Sequence, residues 1–260
     1  MTKIETAHLA ADTDLTPSIK SFWTENVNAE RIMGREVTSD ERGSAQYFQD
    51  LTEQRYRSHR HLLPWIKSMQ SGRRVLEVGC GVGLDSFTMA QHGLQVTAVD
   101  LTDIAVETVK ERFKDHGLDG EFRAADACAL PFEDNQFDYV YSFGVLHHTA
   151  DTEKSIDEVH RVLKPGGEAK IMLYNLHSLN EVVHRLLQVP FEEKDKVCPV
   201  VRRFTKAEVK SIFQKYSNVD IDLDFVFGEG YGNLFKLTPL WLYRLLSKTI
   251  GWHLMISAKK

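Results

Sequence analysis

A chain of 260 residues, 42% hydrophobic and 27% charged, carries enough apolar material for a buried core and no compositional mark of disorder. A net charge of −5 gives no broad attraction for nucleic acid, and three scattered cysteines without a C-x-x-C pair argue against a zinc site or redox dithiol. The polar N-terminus has no signal-peptide core, and reduced thiols suit a cytoplasmic protein.

Residues 1–16 read as a polar tail. From Pro17 to Met69 the pattern is helical, in pieces at Ile19–Trp23, Tyr47–Leu51 and Tyr56–Ile66. Arg31–Gly43 reads as a charged loop, and this third offers no strong strand candidate. From Gly72 the pattern alternates. Arg74–Val78, Gln95–Asp100, Glu121–Ala125, Phe137–Phe143 and Glu168–Tyr174 read as strands; Leu84–His92, Asp103–His116 and Asp151–Leu163 read as helices between them. Such alternation predicts right-handed crossovers and a parallel sheet.

After Tyr174 the rhythm breaks. Ser178–Leu187 reads as helical and Glu192–Lys196 as a solvated loop. Thr205 caps a helix running to Tyr216, with Glu208 completing a capping box. Val219–Phe227 and Trp252–Ala258 read as strands around a helix at Pro239–Lys248. The apolar stretch Leu234–Ile256 is interrupted by Lys236, Arg244, Lys248 and His253, so it is not read as membrane-spanning. Its amphipathic part, Leu240–Trp252, is expected to pack on the core in preference to a membrane, although it leaves room for a lipid-like acceptor.

Four features stand at the carboxyl ends of successive strands, the edge where open α/β sheets bind ligands. The first is the turn Glu77-Val78-Gly79-Cys80-Gly81-Val82-Gly83. It lacks Lys and offers Glu77, which disfavours a triphosphate; Leu84 stands where a dinucleotide fingerprint would carry its third glycine. Asp100, at the second tip, can accept two ribose hydroxyls. Asp126, at the third, can accept an adenine amine. Ser142–His148 follow the fourth strand.

These pieces resemble the class I S-adenosylmethionine-dependent methyltransferases, with a core like that of the ubiquinone and menaquinone enzymes. The match runs through Val75–Gly83, Val96–Asp100, Asp126–Phe132, Phe137–His148 and Leu163-Lys164-Pro165-Gly166-Gly167, covering about residues 72–175. It implies a Rossmann-like, doubly wound α/β fold with a seven-stranded sheet of order 3-2-1-4-5-7-6, strand 7 antiparallel, and an N-terminal helical cap. One domain is expected: residues 1–70 as tail and cap, 71–175 as the core, and 176–260 as an insertion plus the last strands.

The resemblance also implies S-adenosylmethionine as donor, S-adenosylhomocysteine as product, and a small-molecule acceptor. Glu77, Gly79, Cys80 and Gly81 would seat the methionine part. Asp100 would hold the ribose, Leu101 pack on the adenine, Asp126 and Ala127 read it, and Phe143 flank the sulfonium. His147 and His148 are the candidate bases, His148 nearer the cofactor and His147 facing the acceptor. Tyr47, Arg55, Tyr56 and Arg57 on the cap, and Tyr174 after the fifth strand, are candidates to reach the donor carboxylate or the acceptor. Ubiquinone-type O-methyltransferases carry E-x-x-E-H where this chain has Gly144, His147 and His148, so no metal is expected.

Competing readings are an RNA or protein methyltransferase, a non-catalytic S-adenosylmethionine-binding module and a nicotinamide dehydrogenase. The first lacks support in the charge and in any N-P-P-Y or D-P-P-Y tetrad; the second would show degraded glycines or a lost ribose acid. The third is disfavoured by Leu84, Asp126 and the Pro-Gly-Gly turn. The acceptor atom and the oligomeric state are not encoded in any motif.

Overall fold

Seven strands form one sheet: β1 Arg74–Val78, β2 Gln95–Asp100, β3 Glu121–Ala124, β4 Phe137–Phe143, β5 Leu163–Tyr174, β6 Asn218–Asp224 and β7 His253–Lys259. Their order is β3-β2-β1-β4-β5-β7-β6, with β7 antiparallel to both neighbours, as the resemblance implies. The computed structural model describes residues 15–27, 30–32, 35–187 and 198–260. Most of the polar tail and the Glu192–Lys196 run lie outside the described residues.

The central strands are apolar on both faces because helices cover both. Alternation sends neighbouring side chains to opposite cores. Leu76, Val140, Ile171 and Ile256 join one cluster with Ile156, Val159 and Phe213. Val75, Tyr141, Met172 and Met255 join the other with Ile66, Phe87, Met89 and Phe113. Each fully buried Leu or Ile contributes roughly 1.5–3 kcal/mol of burial.

The cap holds α1 Thr16–Glu25, α2 Ala45–Ser58 and α3 Leu62–Lys67. Between α1 and α2, Arg31–Ile32 pairs antiparallel with Arg35–Glu36, a short ladder where the sequence suggests only loop. Then come α4 Leu84–Gln91, α5 Asp103–Asp115, α6 Thr152–Val162, α7 Leu179–Leu187, α8 Lys206–Ile212, α9 Asn233–Leu237 and α10 Leu240–Ile250. Asp151 caps α6, accepting from the Lys154 amide at 3.0 Å. Thr205 and Glu208 form the expected capping box, although α8 ends at Ile212 and not near Tyr216. β6 stops at Asp224, short of the expected Phe227, because Phe225 takes a left-handed φ of 59°. β5 begins at Leu163, earlier than expected, but its pairing with β4 jumps from Leu163 to Glu168. The Pro-Gly-Gly turn occupies that irregularity.

Candidate functional site

β1 to β4 are parallel, so their carboxyl tips converge on one edge. The strand order reverses at β1, which opens a crevice there. The glycine turn fills it. The Gly79 and Cys80 amides donate to the Val99 carbonyl at 2.8 and 3.0 Å, tying the turn to β2. Gly79 has φ +80°, and a Cβ there would sit 2.3 Å from the Val145 side chain. At Gly83, φ is +73° and a Cβ would fall 1.7 Å from Val109. Only glycine fits both positions.

A cleft of about 770 Å³ opens over this turn. Its floor is Gly79, Gly81, Asp100, Leu101, Asp126 and Ala127; one wall is Val145, His148 and Thr149. Ile19, Trp23 and Thr16 of α1 form the roof. Asp100 is placed by the Gly81 amide at 3.0 Å on one oxygen and by the Thr102 amide and hydroxyl at 2.9 and 2.8 Å on the other. Burial raises its pKa against the opposing pull of those donors. Asp126 accepts from the Cys128 amide at 2.8 Å. Among the described residues the cleft lining holds two carboxylates and no Lys or Arg.

A smaller depression of about 320 Å³ adjoins it across Gly79 and Gly81, lined by Arg55, Glu77, Cys80, Asp85 and Phe143 among others. Here the sequence missed a buried network. Arg55 Nε donates to Asp85 at 2.8 Å, with a second bond from its Nη2. The Tyr141 hydroxyl lies 2.7 Å from Asp85, and the Tyr56 hydroxyl lies 2.9 Å from it. Burial alone would raise the Asp85 pKa, but Arg55 and the hydroxyl donors outweigh it and the net shift is downward. Glu77 accepts a hydrogen bond from the Ser86 hydroxyl, and burial, then Asp85, pushes its pKa well up. Burial, then Asp100, does the same to the Cys80 thiol, which leaves it a small neutral side chain.

The ten residues expected around the cofactor all line one or other of these depressions: Glu77, Cys80 and Phe143 the smaller, Gly79 and Gly81 both, and Asp100, Leu101, Asp126, Ala127 and His148 the larger. Of the cap and acceptor candidates, Arg55 lines the smaller depression, and the others are held by contacts within the protein. Tyr47 is buried within the cap against Val27, Leu51 and Val82, its hydroxyl on Glu30. Tyr56 is taken up by Asp85 and Thr88. Arg57 is exposed and pairs with Glu229. Tyr174 stacks on Trp252 at 4.3 Å and packs at a tilt against the His147 ring at 3.9 Å.

The two adjacent histidines part company. Leu146–His148 form a 3-10 turn, which separates successive side chains by a third of a circle. His148 lines the cleft and donates from Nδ1 to the Val200 carbonyl at 2.7 Å. His147, expected to face the acceptor, is instead fully buried. Burial, then His148, pushes its pKa well below the ordinary value.

Three more histidines, none of them a site candidate in the sequence, pack beside Phe143. The His59 ring stacks on Phe225 at 4.6 Å, and His253 stacks on Phe225 at 4.5 Å. His61 Nε2 lies 3.2 Å from His253 Nδ1, so one ring donates and the other accepts. Trp23 was also missed as a lining residue. The signal was an aromatic at the i+4 position from Ile19, more apolar surface than a short cap helix needs.

A methyltransferase-domain family model matches residues 76–171. A sterol 4-C-methyltransferase of Caenorhabditis elegans is 27% identical over 184 residues, covering 67% of this chain and 54% of that protein. A ubiquinone biosynthesis O-methyltransferase of Pseudomonas entomophila is 37% identical over 107 residues, covering 40% of this chain and 46% of that protein. The chain thus spans about half the length of these relatives. A Thermotoga maritima structure described as an S-adenosylmethionine-dependent methyltransferase, possibly acting on histamine nitrogen, shares the fold. Its TM-score is 0.60 at 16% identity, over 82% of this chain and 96% of that one.

Proposed function

Because the chain belongs to the class I S-adenosylmethionine-dependent methyltransferases, we propose that it transfers a methyl group to a small-molecule acceptor. The observation that carries the donor site is the chemistry of the cleft: two carboxylates at neighbouring strand tips, an apolar wall and no lining cation among the described residues. That set suits hydroxyl and amine donors on an uncharged nucleoside and opposes a polyphosphate. The absence of a Cβ at Gly79 lets Val145, part of the cleft wall, close against the turn.

S-adenosylmethionine, when bound, supplies an activated methyl group and a neutral thioether leaving group. The chain's own task is placement and exclusion of water. Asp100 would orient the ribose; Leu101, Asp126 and Ala127 would hold the base. Glu77, Cys80 and Phe143 would flank the amino-acid end, with Arg55 beside them. His148, which lines the cleft, is the candidate to receive a proton from an acceptor that must lose one. The support for a small acceptor is the chemistry named for the relatives, a sterol and a ubiquinone precursor pathway, together with the acidic balance of the chain.

Calorimetry with S-adenosylhomocysteine tests the site. Asp100→Ala is expected to weaken binding by about 1–3 kcal/mol, roughly 5- to 150-fold. Unchanged affinity would remove Asp100 from it. S-adenosylhomocysteine release with fractionated metabolites, against bulk tRNA and protein extracts, tests the acceptor class. Turnover confined to either macromolecular pool would overturn the small-molecule assignment.

A further inference from the structure

All eight strongly exposed large apolar side chains among the described residues lie on three helices, α7, α9 and α10. Leu186 and Leu187 stand on α7, Leu234 and Leu237 on α9, and Trp241 and Leu245 on α10. The inner faces of these helices meet in one small core of Val226, Phe227, Phe235 and Tyr243, with Leu179 and Leu246 against it. Tyr243 and Ser247 turn inward on α10, while Trp241 and Leu245, also four apart, turn outward. Half of the expected core packing of this segment is therefore present, and the other half faces solvent. Scattered exposed leucines need no explanation, but a concentration on neighbouring helices marks a contact surface.

Topology places that surface at the cleft edge. β5 and β6 are parallel to β1, and β7 runs the other way. The tips at Tyr174 and Asp224 and the start of β7 at His253 therefore all lie on the edge of the glycine turn. α7 leaves the first tip, and α9 and α10 fill the connection from the second to His253.

Charge identifies the occupant. The chain is net −5, yet no Asp or Glu follows Glu229. Lys236 on α9 and Arg244 on α10 are exposed beside the apolar side chains, and Lys248 pairs only at the margin with Asp222 and Asp224. A second copy docking through the same helices would set these cations against their own copies, with no acid on α9 or α10 to meet them. A surface of lipid headgroups bearing negative charge complements both features: leucines and a tryptophan enter the interface, and lysine and arginine meet the headgroups.

We propose that the outer faces of α7, α9 and α10 dock on an anionic lipid bilayer, holding the cleft edge against the membrane surface. Vesicle cosedimentation tests this with the full chain. Wild type is expected to pellet with phosphatidylglycerol-rich vesicles far more than with pure phosphatidylcholine, and less as salt rises. Trp241→Glu/Leu245→Glu is expected to reduce the bound fraction at least about tenfold, and Lys236→Glu/Arg244→Glu to abolish the preference for anionic vesicles. Both variants should keep wild-type S-adenosylhomocysteine affinity and circular dichroism, which separates loss of docking from loss of the donor site. Absence of wild-type binding to either vesicle, or undiminished binding of the apolar variant, overturns the proposal. So does sedimentation equilibrium showing a wild-type dimer that Trp241→Glu/Leu245→Glu dissociates, since the occupant is then a second copy.

Discussion

Arg55→Met is expected to destabilise the protein by about 3–5 kcal/mol, the cost of leaving a buried charge without its partner. Asp85 is 2% exposed and receives two bonds from Arg55 together with hydroxyl contacts from Tyr56 and Tyr141. Without the guanidinium, burial dominates and the Asp85 pKa moves up. The variant should therefore lose more stability as pH rises, because the native carboxyl must hold a proton that the unfolded chain releases. Denaturant titrations of Arg55→Met, Asp85→Leu and the double variant measure the coupling. The double variant should recover much of the loss, since an apolar pair leaves no unpaired charge. Additive losses would show that the pair does not act as a unit.

Acidification is expected to produce the second large effect. Burial, then the Arg55 guanidinium, pushes His59 and His61 down to about 3. Burial, then His61, drives His253 well below the ordinary value; His147 moves the same way. Folded-state values below the unfolded value of about 6.5 mean that the unfolded chain takes up protons first. Stability is then full above 6.5 and falls as pH drops through that value toward 3. At pH 5.5 each of His59 and His61 costs about 1.4 kcal/mol, so the pair costs about 3 kcal/mol. Glu77 and Asp100, both raised by burial, work in the opposite sense, but the four imidazoles outnumber them. Guanidinium unfolding at pH 7.5 and 5.5 measures the difference, and His59→Gln should flatten it. Equal stability at the two pH values would refute a neutral, buried imidazole cluster.

The sheet was legible because its signals are local. Each strand is a short apolar run, each crossover helix has its own periodicity, and the ligand-facing residues sit at strand tips whose direction topology dictates. The strand-tip residues of the cleft therefore followed from their position together with the family resemblance, whereas Ile19 and Trp23 of the roof did not. The cap helices offer no such guide. On α2 the buried positions are Tyr47, Phe48, Leu51, Gln54 and Ser58. Only knowledge of that face reveals that Arg55 reaches the depression while Tyr47 is enclosed and Arg57 points to solvent. His147 and His148 differ for a similar reason: a 3-10 turn was needed to know that adjacent rings diverge. The histidine cluster left no local trace, since His61 and His253 are 192 positions apart. The outward leucines of α9 and α10 were visible in the sequence, but whether other elements cover them is a tertiary fact.

The first helix has a thermodynamic consequence. α1 meets the body through Ile19 and Phe22 and an exposed Lys20–Asp103 ion pair at 2.8 Å, a screened contact of small worth. Ile19 and Trp23 of the same helix also face the cleft. Seating of this lid and filling of the space below it are thus one linked equilibrium. A guest that touches both residues firms the lid by the same free energy that the lid lends to the guest.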